Sequence, residues 1–196
     1  MKRILFLIVV GVFLCSGSAS ATLVGYYSFE GNANDMSGYG HNGTINGDTT
    51  FVDGVLGQSA YFDGSGDYIQ ISPNFSTELT NSEFSLSTWL LMDENPVFST
   101  SLSAPIVTND IHQMPTRLIA GTNRVNFWAA RSPSNGEGVQ YMNIALDQWY
   151  HLAVTIDDSF MKYYVNGSLV DTEVFGYTEI GSWNGNFMIG GNSRLG

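Results

Sequence analysis

The chain has 196 residues, of which 18 are acidic and seven basic, for a formal net charge of −11. That balance excludes nucleic acid as a partner, because phosphate binding needs clustered cations, and it disfavours an anionic membrane surface for the same reason. With 43% hydrophobic and 13% aromatic residues the composition also excludes a disordered or low-complexity chain.

In chain order, the first element is a leader. Lys2 and Arg3 form a short positive region, Ile4 to Leu14 is an apolar run, and Ala19-Ser20-Ala21 is a small-x-small cleavage site, the pattern of a secretory signal. The run is short for a bilayer span, so no membrane insertion is expected after cleavage. A lipoprotein signal is less favoured, because Cys15 follows Leu14 and not a small residue. Removing residues 1–21 leaves 175 residues without cysteine, and removing Lys2 and Arg3 from the seven basic residues leaves five against 18 acidic, or −13. A chain of that size can rest on one hydrophobic core, and residues 22–196 read as a single exported domain.

After the leader, short β-branched and aromatic runs alternate with turns rich in Gly, Asn, Asp and Ser, the pattern of an antiparallel sandwich or barrel. Leu23 to Phe29 is the first expected strand, followed by a loop from Glu30 to Gly43. Thr44 to Phe51 is broken by a turn at Asn46-Gly47. Ser59 to Ile71 reads as two strands around Asp63-Gly64-Ser65-Gly66-Asp67, a tight corner. Phe84 to Met92 alternates cleanly and predicts a central strand, with Phe84, Leu86, Thr88 and Leu90 on one face and Ser85, Ser87, Trp89 and Leu91 on the other. Pro105 to Thr108, Arg117 to Ala120, Val125 to Arg131 and Val139 to Ile144 are further expected strands, with Ser132 to Gly138 as a polar turn. Trp149 to Ile156, Phe160 to Val165 and Ser168 to Phe175 form a meander, its last hairpin closed by Asn166-Gly167. Phe187 to Ile189 begins one more strand, and the expectation is a sandwich lacking its last strand after Gly196.

The order of LVGYYSFEGNANDMSGYGHNGT, SAYFDGSGDYIQI, FSLSTWL, WYHLAVTID, MKYYVNGSLV and FMIGG resembles the laminin-G-like, concanavalin A-like jelly-roll module of secreted bacterial proteins, over nearly all of Leu23 to Gly191. The resemblance implies two curved antiparallel sheets packed face to face, frequently with bound calcium, serving as a carbohydrate-binding or adhesive module of a larger secreted protein. It also implies that the Asp of the first loop, here Asp35, helps bind the ion, with a carboxylate near the C-terminus completing the shell. Family members usually carry one more strand with an acidic motif after the position where this sequence ends, and that motif is not within its 196 residues.

The residues offer their own candidates. Calcium takes six to eight oxygens at about 2.3–2.6 Å, and the Glu30 to Gly43 loop supplies Asp35, Asn34 and Asn42, with the carbonyls of Gly38 and Gly40 free to turn inward. The same residues also suit a surface loop of Asx-turns. Asp63 and Asp67, four apart across a glycine-rich turn, could hold a cation or could cap the turn's own N–H groups. Sugar binding requires aromatic faces beside amides, since pyranose C–H faces are apolar and the edges polar. Trp183 with Asn184 and Asn186, together with Trp128 and Tyr141, are the expected ligand contacts. No nucleophile motif appears, His41, His112 and His151 lack spaced partners, and the Glu-x-Asp-x-x-Glu run of glucanases sharing the fold is missing. The expected function is non-catalytic binding of a glycan or cell-surface ligand. The alternatives are a glycoside hydrolase or lyase on the same fold, and a structural spacer of a surface protein.

Overall fold

The computed structural model describes residues 4–9, 22–73, 75, 78, 83–93, 104–109, 116–121, 124–132, 135–157, 159–174 and 187–190. In chain order the strands are β1 (Ile4–Val9), β2 (Tyr26–Tyr27), β3 (Gly43–Asn46), β4 (Thr50–Asp53), β5 (Gln58–Phe62), β6 (Tyr68–Ile71), β7 (Phe84–Met92) and β8 (Ala104–Asn109). They continue as β9 (Thr116–Gly121), β10 (Arg124–Ser132), β11 (Asn135–Met142), β12 (Trp149–Ile156), β13 (Phe160–Val165), β14 (Ser168–Val174) and β15 (Phe187–Ile189).

One sheet runs β14-β13-β12-β7-β1-β5-β4, with β2 paired to β1 off that path, and the other runs β11-β10-β9-β8-β15-β6-β3. Every pairing is antiparallel. This is an all-β sandwich, one of the two architectures the alternation allowed and the jelly roll that the resemblance implied, because period-2 runs bury one face only when a second sheet covers it. On β7 the pattern is strict: Phe84, Leu86, Thr88, Leu90 and Met92 are buried, and the residues between them half-buried. Leu152, Val154 and Ile156 of β12 and Met161, Tyr163 and Val165 of β13 extend that inner face. Phe127 of β10, Ile69 and Ile71 of β6 and Phe187 and Ile189 of β15 join the same core from the other sheet. Phe84 and Phe127 meet across it with ring centroids 6.4 Å apart.

The meander is as expected, and Asn166 and Gly167 close its hairpin with φ of 50° and 79°, the mirror-image turn that suits the strand twist. Three details differ from the sequence expectation. Only Tyr26–Tyr27 of the first run is strand. Residues Asn135 to Gly138, expected as a turn, belong to β11, where pairing with Gly136, Glu137 and Gly138 gives the edge of β10 its backbone partners whatever the side chains. The third is the apolar run of the expected leader, whose Ile4–Val9 portion lies between β5 and β7. A short continuous apolar run satisfies either a signal's hydrophobic region or a buried strand, and periodicity cannot separate the two.

The turns at Asn46-Gly47 and Asp63 to Asp67 are not hairpins. Each carries the chain from one sheet to the other, since β3 and β6 pair with each other in one sheet while β4 and β5 pair in the other.

Leu90 is fully buried whereas Leu91 faces outward and is half-buried. Leu90→Ala is therefore expected to cost about 3 kcal/mol, and Leu91→Ala less than about 1 kcal/mol, in urea unfolding; equal losses would contradict the assignment of faces.

Candidate functional site

The Glu30 to Gly43 loop is organised by Asp35. Its Oδ1 accepts the N–H of Tyr26 at 3.0 Å and of Ser37 at 2.9 Å, and its Oδ2 accepts the Ser37 hydroxyl at 2.7 Å and the His41 N–H at 3.1 Å. A carboxylate offers about four lone-pair sites, so these donors occupy it. Asn42 Oδ1 accepts the Asp35 N–H at 3.0 Å, and the Asn34 N–H donates to Asn32 Oδ1 at 2.9 Å. Gly38 and Gly40 stand at positive φ, 97° and 81°. The loop thus gathers the five residues expected to hold calcium, with the side-chain oxygens of Asp35 and Asn42 engaged by backbone donors. His41 pins the loop to the core: it is 2% exposed, its Nδ1–H donates to the Pro73 carbonyl at 2.8 Å, and its ring meets Phe75 edge-on at 4.7 Å.

A second group of oxygens forms where the two inter-sheet turns lie side by side. Asp67, 4% exposed, accepts the Asp48 N–H on Oδ1 at 2.8 Å and the Asp63 N–H on Oδ2 at 3.0 Å. Asp63 Oδ1 takes the Ser65 N–H at 2.7 Å. The approach is close because position 47 is glycine: at φ 73° a Cβ there would collide with Asp67 Oδ1. Ligand oxygens of Asp48, Asp63 and Asp67 lie within 4.8 Å of one another. Two oxygens bound to one Ca²⁺ sit at most about 5 Å apart, twice the bond length, so the spacing suits a single cation. Among the described residues no basic side chain pairs with these carboxylates to offset their mutual repulsion. Asp63 and Asp67 do cap their own turn, as the alternative reading had it, and the group also includes Asp48. Nothing in the local spacing announces Asp48, which lies 19 residues before Asp67.

Electrostatics separates the two places. Burial pushes the Asp35 carboxyl up, but the hydrogen bonds from Tyr26, Ser37 and His41 outweigh it and hold the group below the ordinary value. Burial also pushes Asp67 up; the Asp63 and Asp48 N–H groups oppose this, their negative charges add to it, and the group ends above the ordinary value. One site therefore favours a bare carboxylate and the other penalises it, which is the condition a bound cation relieves.

A third feature is aromatic. The outer face of the first sheet carries Trp89 of β7 and Trp149 and His151 of β12, all half-buried. His151 is registered opposite Trp89 and Trp149 opposite Leu91. The Trp89 and His151 rings stand 5.1 Å apart, and burial lowers the His151 pKa, keeping the imidazole neutral with one donor and one acceptor nitrogen. These three residues were not among the expected ligand contacts, although the alternation already set Trp89 on the face opposite Phe84, Leu86 and Leu90. Of the expected contacts, Trp128 and Tyr141 lie in β10 and β11, opposite Gly138 and Val125 in register. Trp183, Asn184 and Asn186 lie outside the described residues.

Comparison with known proteins agrees with this architecture. A laminin G family model, described as the concanavalin A-like lectin/glucanases superfamily, matches residues 63–196, and the chain belongs to that family. No curated protein matches the chain in sequence. Among solved structures it is similar to domain 4 of AbnA, a GH43 extracellular arabinanase from Geobacillus stearothermophilus, in complex with arabinotriose. There the identity is 22% and the TM-score 0.68, over 89% of this chain and 85% of that one. It is also similar to the receptor-binding domain of the botulinum neurotoxin mosaic serotype C/D, with 15% identity and a TM-score of 0.66 over 96% of this chain and 43% of that one. For the type G receptor-binding domain the values are 19% and 0.60, over 80% and 39%. The chain spans less than half of the neurotoxin chains it matches.

The two carboxylates titrate with opposite sign. Asp35, with a lowered folded value, stabilises above its unfolded value of about 3.9, and that contribution is lost as pH falls through the folded value. Asp35→Ala should cost on the order of 2 kcal/mol at neutral pH, with the gap to wild type narrowing in acid. Asp67, with a raised folded value, binds its proton more tightly when folded, so without metal its contribution falls as pH rises through the window above about 3.9. The stability of wild type minus that of Asp67→Asn should therefore decrease between mild acid and neutrality in chelator; a gap independent of pH would remove Asp67 as the titrating group.

Proposed function

We propose that the protein is an exported, non-catalytic glycan-binding module of a larger secreted protein, with calcium held by Asp48, Asp63 and Asp67. The observation that carries the binding role is the half-buried Trp89, His151 and Trp149 face. Such a surface can stack on the apolar faces of sugar rings, while the imidazole nitrogens can meet a hydroxyl. The fold shared with an arabinanase domain solved with arabinotriose supports a glycan as the ligand class. The Trp183 loop, with Asn184 and Asn186, is the second candidate contact. Export is supported by Lys2, Arg3, the apolar run and Ala19-Ser20-Ala21.

A non-catalytic role is supported by the state of the acidic group. Asp67 is buried with both oxygens bonded to turn N–H groups, whereas a glycosidase acid must face substrate across a cleft. Calcium would be held by the Asp48, Asp63 and Asp67 oxygens and would neutralise their repulsion. Its role would be to tie together the two turns that join the sheets.

Arabino-oligosaccharides are the first ligands to try, by calorimetry followed by a wider glycan panel. Trp89→Ala or Trp149→Ala should weaken binding about tenfold, equivalent to about 1.4 kcal/mol, without loss of folding. Silence of the folded protein across the panel would favour a structural spacer, and cleavage of any polysaccharide would overturn the non-catalytic assignment. For calcium, a concentration near a hundred times Kd should raise stability by about 2.7 kcal/mol, roughly 5–10 °C for a domain of this size. Asp63→Asn should abolish that rise and Asp35→Asn should leave it. Identical melts in calcium and chelator would end the metal assignment.

A further inference from the structure

The outward face of the first sheet continues from β7 and β12 onto β13. In register, Trp89 is opposite His151, and Ala153 is opposite both Ser87 of β7 and Tyr164 of β13. Tyr164 is half-buried and faces outward, since its neighbours Tyr163 and Val165 point into the core. It is therefore two strands and one side-chain repeat away from Trp89, about 12 Å at ordinary strand spacings. The line joining the two residues crosses β12 between His151 and Ala153. Ser87 and Ala153 are small, so a shallow lane lies beside the indole, with an imidazole along one border and a phenol at its far end.

The lane carries no net charge. The chain has 18 acidic residues, yet among the described residues none occupies an outward position of β7, β12 or β13. The one cation at those positions, Lys162, has the Asp157 carboxylate at 3.8 Å and lies over the Phe160 ring at 5.5 Å. Burial lowers the His151 pKa, so the imidazole is neutral at neutral pH. An anionic polymer would find no uncompensated cation here, and it would also meet the negative field of a chain with net charge −11. What the face offers instead is aromatic area for the apolar faces of sugar rings and an imidazole for their hydroxyl edges.

We propose that this face takes an uncharged, linear glycan that crosses β7, β12 and β13 obliquely, with one sugar ring stacked on Trp89, another on Tyr164, and the chain between them passing over Ala153 beside His151. Tyr164 is then a specificity-determining residue. No single sugar ring reaches from the indole to the phenol, so the second platform rewards chain length and leaves a disaccharide no better bound. The absence of net charge sets the class, since uronate or sulfate groups gain nothing from Lys162 while Asp157 accompanies it. This inference rests on the glycan-binding reading proposed above and names the ligand class of the same site.

The test is calorimetry on the intact chain with arabinobiose, arabinotriose and longer arabino-oligosaccharides, and with matching series cut from xylan, cellulose and polygalacturonate. Affinity should rise with chain length beyond the disaccharide. Tyr164→Ala should weaken binding of the longer neutral chains about tenfold and leave the disaccharide unchanged, whereas Trp89→Ala should weaken both. Disaccharide binding by the Tyr164→Ala protein itself reports a folded site, and Tyr164→Phe, which keeps the ring, should bind like wild type. A Tyr164→Ala protein that binds long chains as wild type does, or that loses the disaccharide equally, would overturn the lane. Tighter binding of oligogalacturonides than of neutral chains, or affinity that falls steeply with added salt, would overturn the uncharged class. Binding that depends on Trp89 but not on chain length would sink this inference and leave the glycan-binding reading standing. If no chain of any series binds the folded protein, both fall.

Discussion

The Asp67 carboxylate joins the two sheets of this protein at the level of the backbone. Its two oxygens accept N–H groups from two different connections, Asp48 in the turn between β3 and β4 and Asp63 in the turn between β5 and β6. Both connections cross the sandwich, so one side chain ties together four strands belonging to opposite sheets. The geometry requires Gly47 beneath the carboxylate. It also brings carboxylate oxygens of three aspartates within 4.8 Å of one another, and their repulsion around the buried Asp67 is the physical basis for proposing a cation there.

The Asp35 loop solves a similar problem in the opposite way. Its carboxylate is surrounded by donors from its own loop and from Tyr26, so charge is compensated by hydrogen bonds alone and the group ionises more readily than usual. Tyr27 and His41 carry the constraint inward, the tyrosine hydroxyl donating to the His41 carbonyl at 2.6 Å. Two acidic places of similar composition therefore differ: Asp35 is a self-contained brace with four donors, whereas Asp67 takes one N–H on each oxygen and lies beside two further carboxylates.

Much of the fold was legible along the chain. The alternating faces of β7 and the Asn166-Gly167 hairpin follow from period-2 alternation and turn chemistry, which are local, whereas the jelly roll was implied by the order of motifs along the whole chain. The start of β11 was missed because strand pairing recruits glycine and polar residues when a neighbour needs backbone partners. The functional candidates were less legible. Asp63 and Asp67 were visible as a pair, but Asp48 joins them only through the side-by-side packing of two inter-sheet turns. Alternation set Trp89 on the face opposite Phe84 and Leu86, yet its adjacency to His151 depends on the register of β7 with β12, which no single segment encodes.

What the amino-acid order determined unaided was chemistry that acts within a few residues: alternation, turns, the acid-rich balance that turns the protein away from polyanions, and an apolar leader-like run. What the tertiary structure decided was which distant groups share a place. It set three aspartates at one corner, an indole beside an imidazole on one face, and Ile4–Val9 in the middle of a sheet. Backbone pairing between segments far apart in the chain controls all three, and the free energy of such pairing depends on the neighbour as much as on the residue itself.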